Sequence, residues 1–179
     1  MKRKKLIVAI MGTPGVGKTT FARKLSKKLG AELISANEVV NKYGLYSGLD
    51  KFNTKIVKMK ELEKKINELV RGDGKFVVEG HLLSDIKIKN AIAIVLREHL
   101  NVLWKRLKER GYAKEKIMEN ITSEATDYSG IAAEKNYKRV YEFLSSDRRL
   151  MKKVLAAIEG KERSEDIELL EELLPFIKK

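Results

Sequence analysis

Eight consecutive residues, Gly12-Thr-Pro-Gly-Val-Gly-Lys18-Thr19, fit the pattern G-x-x-x-x-G-K-[ST]. Gly12, Gly15 and Gly17 let successive backbone N–H groups turn inward as a nest for anions. A helix that begins just after them points its positive end at the same spot. Lys18 supplies a point charge for β- and γ-phosphates, the Thr19 hydroxyl is a ligand for Mg²⁺, and Thr20 reaches the α-phosphate. At average composition, four specified positions coincide in a chain of this length about once in a hundred or fewer. The pattern therefore predicts ATP and Mg²⁺ as cofactors.

Two further groups carry chemistry. Glu79-Gly-His81 follows a strand-like run, where phosphate-binding loop proteins place the carboxylate that holds the metal's water shell. That makes Thr19 and Glu79 the expected metal residues. His81 either orients a water or contacts the γ-phosphate, or else is a hydrogen-bonded structural residue past the strand. Arg106 and Arg110 lie four apart, on one face of a helix that stops at Gly111. Phosphoryl transfer spreads negative charge, and guanidiniums that arrive with a closing lid would answer it. A solvated basic helix is the alternative, since Lys105 and Lys108 flank the pair.

These residues need a frame. Short apolar runs at residues 5–11, 31–35, 75–79, 91–96 and 140–144 read as strands. Amphipathic helices are expected over 18–29, 59–70, 99–110 and 147–158, with a last one over 164–174 ended by Pro175. Strands alternating with helices predict a three-layer α/β fold around a mostly parallel, five-stranded sheet in one domain. Residues 37–71 and 111–136 are longer than crossovers require. Such insertions at the carboxyl edge of a parallel sheet stand over the ligand site. Tyr46 in the first of them either stacks on a base or packs under its loop.

Bulk properties limit the alternatives. In 179 residues, 43% hydrophobic and 35% charged, no apolar run approaches the roughly 18 needed to cross a bilayer. The basic opening Met1-Lys-Arg-Lys-Lys resembles the start of a leader, but the apolar stretch after it is too short, and a cytoplasmic protein is expected. The absence of cysteine excludes disulfides and thiol nucleophiles. A net charge of +13 suits either a polyanionic partner or a lysine-rich solvated surface. No guanine-reading N-K-x-D string occurs, and the chain is too short for an AAA-type ATPase with its separate lid domain. Small-molecule kinases remain.

Four blocks then resemble the atypical adenylate kinases of archaea and eukaryotic nuclei (the isoenzyme-six type), which also act as ribosome-maturation factors. They are the loop from Ile10 to Thr20, Phe76-Val-Val-Glu-Gly-His81, Val95-Leu-Arg97, and the stretch from Asn101 to Tyr112 followed by a helix with Lys116, Asn120 and Ile121. The resemblance implies that Gly15, Val16, Gly17, Lys18, Thr19 and Thr20 hold the ATP phosphates and that Arg110 contacts ATP. It implies a monophosphate-binding insertion at about 35–58 and a lid at about 109–119. The expected activity is transfer of the γ-phosphoryl group to AMP or other nucleoside monophosphates. Lys18, Arg106, Arg110 and His81 would form the catalytic set. The alternative is an ATP-switched small-subunit assembly factor that binds a ribosomal protein or pre-ribosomal RNA; a kinase of another small metabolite, such as shikimate or a nucleoside, has no positive signature. One departure stands out. Better-known members carry an arginine in the first helix of the monophosphate region, where this chain has Asn41 and Lys42.

Overall fold

The computed structural model describes residues 5–177; the leader-like reading of the first residues lies, Lys5 apart, outside them. The chain begins with β1 (Leu6–Met11) and α1 (Lys18–Leu29), then β2 (Glu32–Ser35) and α2 (Ala36–Tyr43). A hairpin of β3 (Tyr46–Leu49) and β4 (Lys55–Val57) leads to α3 (Met59–Leu69), β5 (Lys75–Glu79) and a 3-10 turn (His81–Asp85). Next come β6 (Ile92–Arg97), α4 (Leu100–Glu109), α5 (Lys114–Ala125), α6 (Tyr128–Asn136), β7 (Val140–Leu144) and α7 (Leu150–Ile158). A 3-10 turn (Glu171–Leu173) and α8 (Leu174–Ile177) close the described chain.

The five expected strands form one sheet in the order β2-β5-β1-β6-β7, every neighbouring pair parallel. Side chains alternate strictly between two cores. Val8, Ile10, Ile92, Ile94 and Leu96 join the core beneath α1, α4, α5 and α7. Ile7, Ala9, Met11, Ala93 and Val95 join the one beneath α2, α3 and α6. Because both faces are covered, the strands read as unbroken apolar runs instead of alternating ones. The sheet thus carries Met11, Glu79 and Arg97 to one carboxyl edge.

Both long insertions lie at that edge. The first contains α2 and the β3–β4 hairpin, an antiparallel pair separate from the main sheet. The second divides into α5 and α6, with Asp127 at φ 52° between them, its carboxylate accepting from the Gly130 amide.

The expected helix over 164–174 does not form. Residues 161–169 run as an irregular strap along β7, the edge strand. Glu165 N donates to Glu142 O at 3.0 Å, and the Ser164 hydroxyl and Glu165 carboxylate accept from the amides of Glu142 and Leu144. Ser and Glu here satisfy the open edge of a sheet, and that competes with helical hydrogen bonding. Pro175 lies in the first turn of α8, where its missing N–H costs nothing, so it does not end a helix. The helix expected from 147 begins at Leu150, since Asp147 takes the Arg149 amide and the Lys153 ammonium as partners.

The strap anchors through alternate leucines: Leu169 and Leu173 are buried, while Leu170 and Leu174 are exposed. Leu173→Ala should therefore cost about 2–3 kcal/mol in denaturant unfolding, and Leu174→Ala less than about 0.5 kcal/mol. Equal losses would contradict this anchoring.

Candidate functional site

The glycine loop joins β1 to α1, with Gly12 at φ 133°, Gly15 at φ 98° and Gly17 at φ 103°. Packing gives two of these glycines a second reason. A Cβ on Gly12 would run into the Leu96 carbonyl, and one on Gly15 would lie 2.7 Å from Leu103 Cδ1. The loop is thus seated directly on the end of β6 and on α4. Val16 is fully buried, so it offers its backbone alone to a ligand.

Lys18 is buried, and its Nζ donates to the Thr13 carbonyl at 2.8 Å. Burial pulls its pKa down to about 8; the Arg110 charge pushes the same way, while Glu79 and Glu124 oppose. Thr19 Oγ1 donates to Glu79 Oε2 at 3.1 Å. A hydroxyl and a carboxylate side by side fit Mg²⁺, which takes one or two protein oxygens and completes its shell with waters and phosphate. Among the described residues no cluster of three or more His, Cys, Asp or Glu side chains could hold a metal without such help.

Three cavities meet here. A central one of 200 Å³ is lined by Gly15, Gly17, Lys18, Thr19, Thr20, Glu79, His81 and Arg110, together with Asn37 from α2. On one side it shares Gly15, Gly17, Thr20 and Arg110 with a 430 Å³ cavity that extends to Ser145, Arg148 and Met151. On the other it shares Pro14, His81 and Tyr112 with a 770 Å³ cavity. That largest space is walled by the hairpin tip at Phe52 and Asn53, by Asp85 and Tyr128, and by Lys116, Asn120 and Ser123 of α5.

The two arginines are placed differently. Arg110, at the end of α4, faces both the central and the 430 Å³ cavities. Arg106 Nη1 is already engaged, 3.0 Å from Glu98 Oε2 and 3.3 Å from the Gly15 carbonyl. His81 opens the 3-10 turn after β5, where burial and then the Lys18 and Lys116 charges hold its pKa down to about 4. It is a neutral imidazole at pH 7. Tyr46 lines none of the three cavities, and the Lys55 ammonium sits 4.3 Å from its ring centroid. Phe52, Tyr112 and Tyr128 bring their rings to the large cavity, and Lys51 and Lys116 lie over that of Phe52 at 4.7 and 5.0 Å.

Sequence reasoning missed a buried ionic cluster behind the loop. Arg97, 1% exposed, donates to Glu124 Oε1 (3.1 Å), Asp127 Oδ1 (2.6 Å) and Glu142 Oε2 (2.7 Å). Burial raises the pKa of Glu124 and pushes that of Glu142 up to about 7. Glu124 also accepts from the Thr13 hydroxyl at 2.5 Å. The one signal in the sequence was an arginine closing an apolar strand; its three partners are 27 to 45 positions away.

A family model described as an AAA domain matches residues 8–127. The short length of the chain therefore does not set it apart from AAA domains: the match covers the glycine loop and the elements from β1 through α5, and ends before β7. A Pyrococcus furiosus protein named "Putative adenylate kinase" is 41% identical over 143 residues, covering 76% of this chain and 73% of its own. A Methanocaldococcus jannaschii protein of the same name is 32% identical over 164 residues, covering 89% and 90%. Among solved structures, a shikimate kinase from Acinetobacter baumannii superposes with a TM-score of 0.61 at 18% identity, over 88% of this chain and 95% of that one. A gluconokinase from Sinorhizobium meliloti gives 0.57 at 14%, over the whole of both chains. These structural likenesses show the P-loop kinase fold.

The depressed pKa of Lys18 makes a prediction for the ligand-free protein. Between about pH 8 and 10.5 the unfolded chain holds a proton on Lys18 that the native chain has lost, so this group's penalty fades as pH rises. Lys18→Met should stabilise the ligand-free protein by up to about 3 kcal/mol at pH 7.5. In urea unfolding that gap should narrow steadily towards pH 10.5. A gap independent of pH would contradict the burial argument.

Proposed function

Since the chain belongs to the family of these archaeal relatives, we propose that it is a nucleoside monophosphate kinase that moves the γ-phosphoryl group of ATP to AMP or a related monophosphate. The observation that carries this reading is the alignment of two nucleoside-sized cavities on either side of one small, cation-lined cavity. Two nucleotides bound in that way meet phosphate to phosphate. A metabolite kinase of the same fold needs only one nucleotide-sized space.

In this reading the donor nucleoside occupies the 430 Å³ cavity, and Gly15, Val16, Gly17, Lys18, Thr19 and Thr20 surround its phosphates. Thr19 and Glu79 would hold Mg²⁺, which would supply positive charge against the phosphates. An oxygen of the acceptor phosphate attacks the γ-phosphorus, the bond from that phosphorus to the β–γ bridging oxygen breaks, and ADP leaves with the electron pair. The buried Lys18 ammonium gains a full anionic partner as ATP arrives. Arg110 follows the transferring group from the donor side. Arg106 acts indirectly, by holding the Gly15 carbonyl and the Glu98 carboxylate in place. Neutral His81, on the border of the central and large cavities, hydrogen-bonds the acceptor phosphate without adding charge.

The monophosphate region at about 35–58 and the lid at about 109–119 follow the same division, since the hairpin tip and Gly111–Ala113 both edge the large cavity. The missing arginine of α2 is compensated from elsewhere. Asn41 is occupied by Lys55 Nζ at 2.5 Å, and Lys51 and Lys116 bring the positive charge to the acceptor side.

The charge of +13 and the run of Lys51, Lys55, Lys58, Lys60, Lys64 and Lys65 favour a second reading, in which ATP switches the grip of this face on a ribosomal protein or pre-ribosomal RNA. The two readings separate cleanly. Kinase activity predicts ADP from ATP plus AMP without any macromolecule, whereas the assembly reading predicts turnover that depends on the ribosomal partner.

Mixing the protein with ATP, Mg²⁺ and AMP should yield two ADP per turnover. Arg110→Ala should lower kcat about 10²–10³-fold, as for loss of one charge-stabilising donor, and Lys18→Ala by at least as much. Arg106→Ala should raise the KM for ATP more than it lowers kcat. Intact ATP binding with no ADP formed from AMP would overturn the kinase reading.

A further inference from the structure

The buried carboxylate of Glu124 has no part in the proposed transfer, yet it is one of the most tightly held groups in the molecule. Its Oε1 accepts from Arg97 Nε at 3.1 Å and from the Glu98 amide at 2.9 Å. Its own carbonyl accepts from Arg97 Nη2 at 2.7 Å. The remaining oxygen, Oε2, takes the Thr13 hydroxyl at 2.5 Å. Glu124 is 1% exposed and Thr13 3%. A buried charge confined in this way costs several kcal/mol in desolvation, which apolar residues of similar volume would avoid. Packing alone does not call for it.

What it joins is informative. Thr13 belongs to the glycine loop and, with Gly12 and Pro14, itself walls the large cavity, and its carbonyl holds the Lys18 ammonium at 2.8 Å. Glu124 belongs to α5, whose Lys116, Asn120 and Ser123 wall the large cavity. One helix therefore touches the acceptor space with three side chains and, one residue after the last of them, grips the loop that sets the lysine. The link is rigid at both ends. Arg97 fixes Glu124 to β6, and Gly12 and Gly15 leave the loop no slack against Leu96 and Leu103.

We propose that Glu124 and Thr13 are positioning residues that couple occupancy of the large cavity to the setting of Lys18, so that the acceptor tightens the hold on ATP. This rests on the two-nucleotide reading of the site. Coupling of this kind is a free energy shared between sites and must be reciprocal.

The test is titration with the non-hydrolysable analogue AMP-PNP and Mg²⁺, with and without saturating AMP, on the full chain. In the wild type, AMP should tighten AMP-PNP binding at least about fivefold. Thr13→Val removes the hydroxyl and keeps the carbonyl that holds Lys18; whatever its affinity for AMP-PNP alone, the gain from AMP should fall below about twofold. Thr13→Ser restores the hydroxyl and should restore the gain, which a mere packing role would not do. Should Thr13→Val fail to fold, hydrogen exchange on the wild type decides the matter: AMP alone should slow exchange at the amides of residues 15–20, beyond its own cavity's walls. AMP that binds, with equal gain in wild type and Thr13→Val, or with unchanged exchange at 15–20, overturns the coupling alone. AMP that does not bind the wild type overturns the acceptor reading and the coupling with it.

Discussion

A lysine ammonium kept out of water is the constraint from which the rest of this molecule can be read. Lys18 has one neutral hydrogen-bond acceptor, the Thr13 carbonyl, and burial leaves it with a pKa near 8. Such a group is destabilising until an anion arrives, so its surroundings must be rigid enough to hold it in place. That rigidity comes from the parallel sheet. Three central strands end side by side at Met11, Glu79 and Arg97, and from those ends come the loop, the Thr19–Glu79 pair and the ionic cluster that grips Thr13. The helices on both faces bury the sheet, and the strap from 161 covers its β7 edge.

Electrostatics is arranged in layers around that lysine. In front, Arg110 and Lys116 leave the cavities positive, and burial, followed by the Lys18 and Lys116 charges, holds His81 neutral. Behind, three carboxylates surround Arg97, and burial pushes one of them, Glu142, up to about pH 7. Positive charge in front suits phosphates, while Glu124 behind and Glu79 beside it partly offset the burial of the Lys18 ammonium. A net charge of +13 therefore does not describe the interior, where among the described residues Glu79, Glu98 and Glu124 are buried alongside Lys18 and Arg97.

Much of this was legible in the sequence because it is written locally. Each sheet strand is an apolar run within two residues of its predicted bounds, since a strand buried on both faces needs no partner to be recognised. The loop, Glu79 and His81 were likewise readable from spacing alone, and all three meet at one cavity. What could not be read depends on residues far apart in the chain. Arg106 lines the 430 Å³ cavity beside Arg110, but its guanidinium also contacts the Glu98 carboxylate and the Gly15 carbonyl, which spacing could not foretell. Tyr46 was open to stacking on a base or packing under its loop, yet it is exposed and lines none of the three cavities, while the hairpin tip brings Phe52 to the large one. Residues 164–174 carry a helical pattern, but the open edge of β7 offers their polar groups better partners than a helix would. Glu124 gave no signal at all, because its meaning lies in Thr13, 111 positions earlier.

The central claim is that the three cavities are one site for two nucleotides joined through their phosphates. A bisubstrate ligand, two adenosines linked by five phosphates, addresses it directly, because two tethered halves bind far more tightly than either alone when the spacing matches. Calorimetric titration should give one ligand per chain, an affinity at least about 100-fold tighter than that of ATP, and displacement by ATP and by AMP alike. An affinity no better than that of ATP, with competition from ATP alone, would mean that the large cavity is not a nucleotide site.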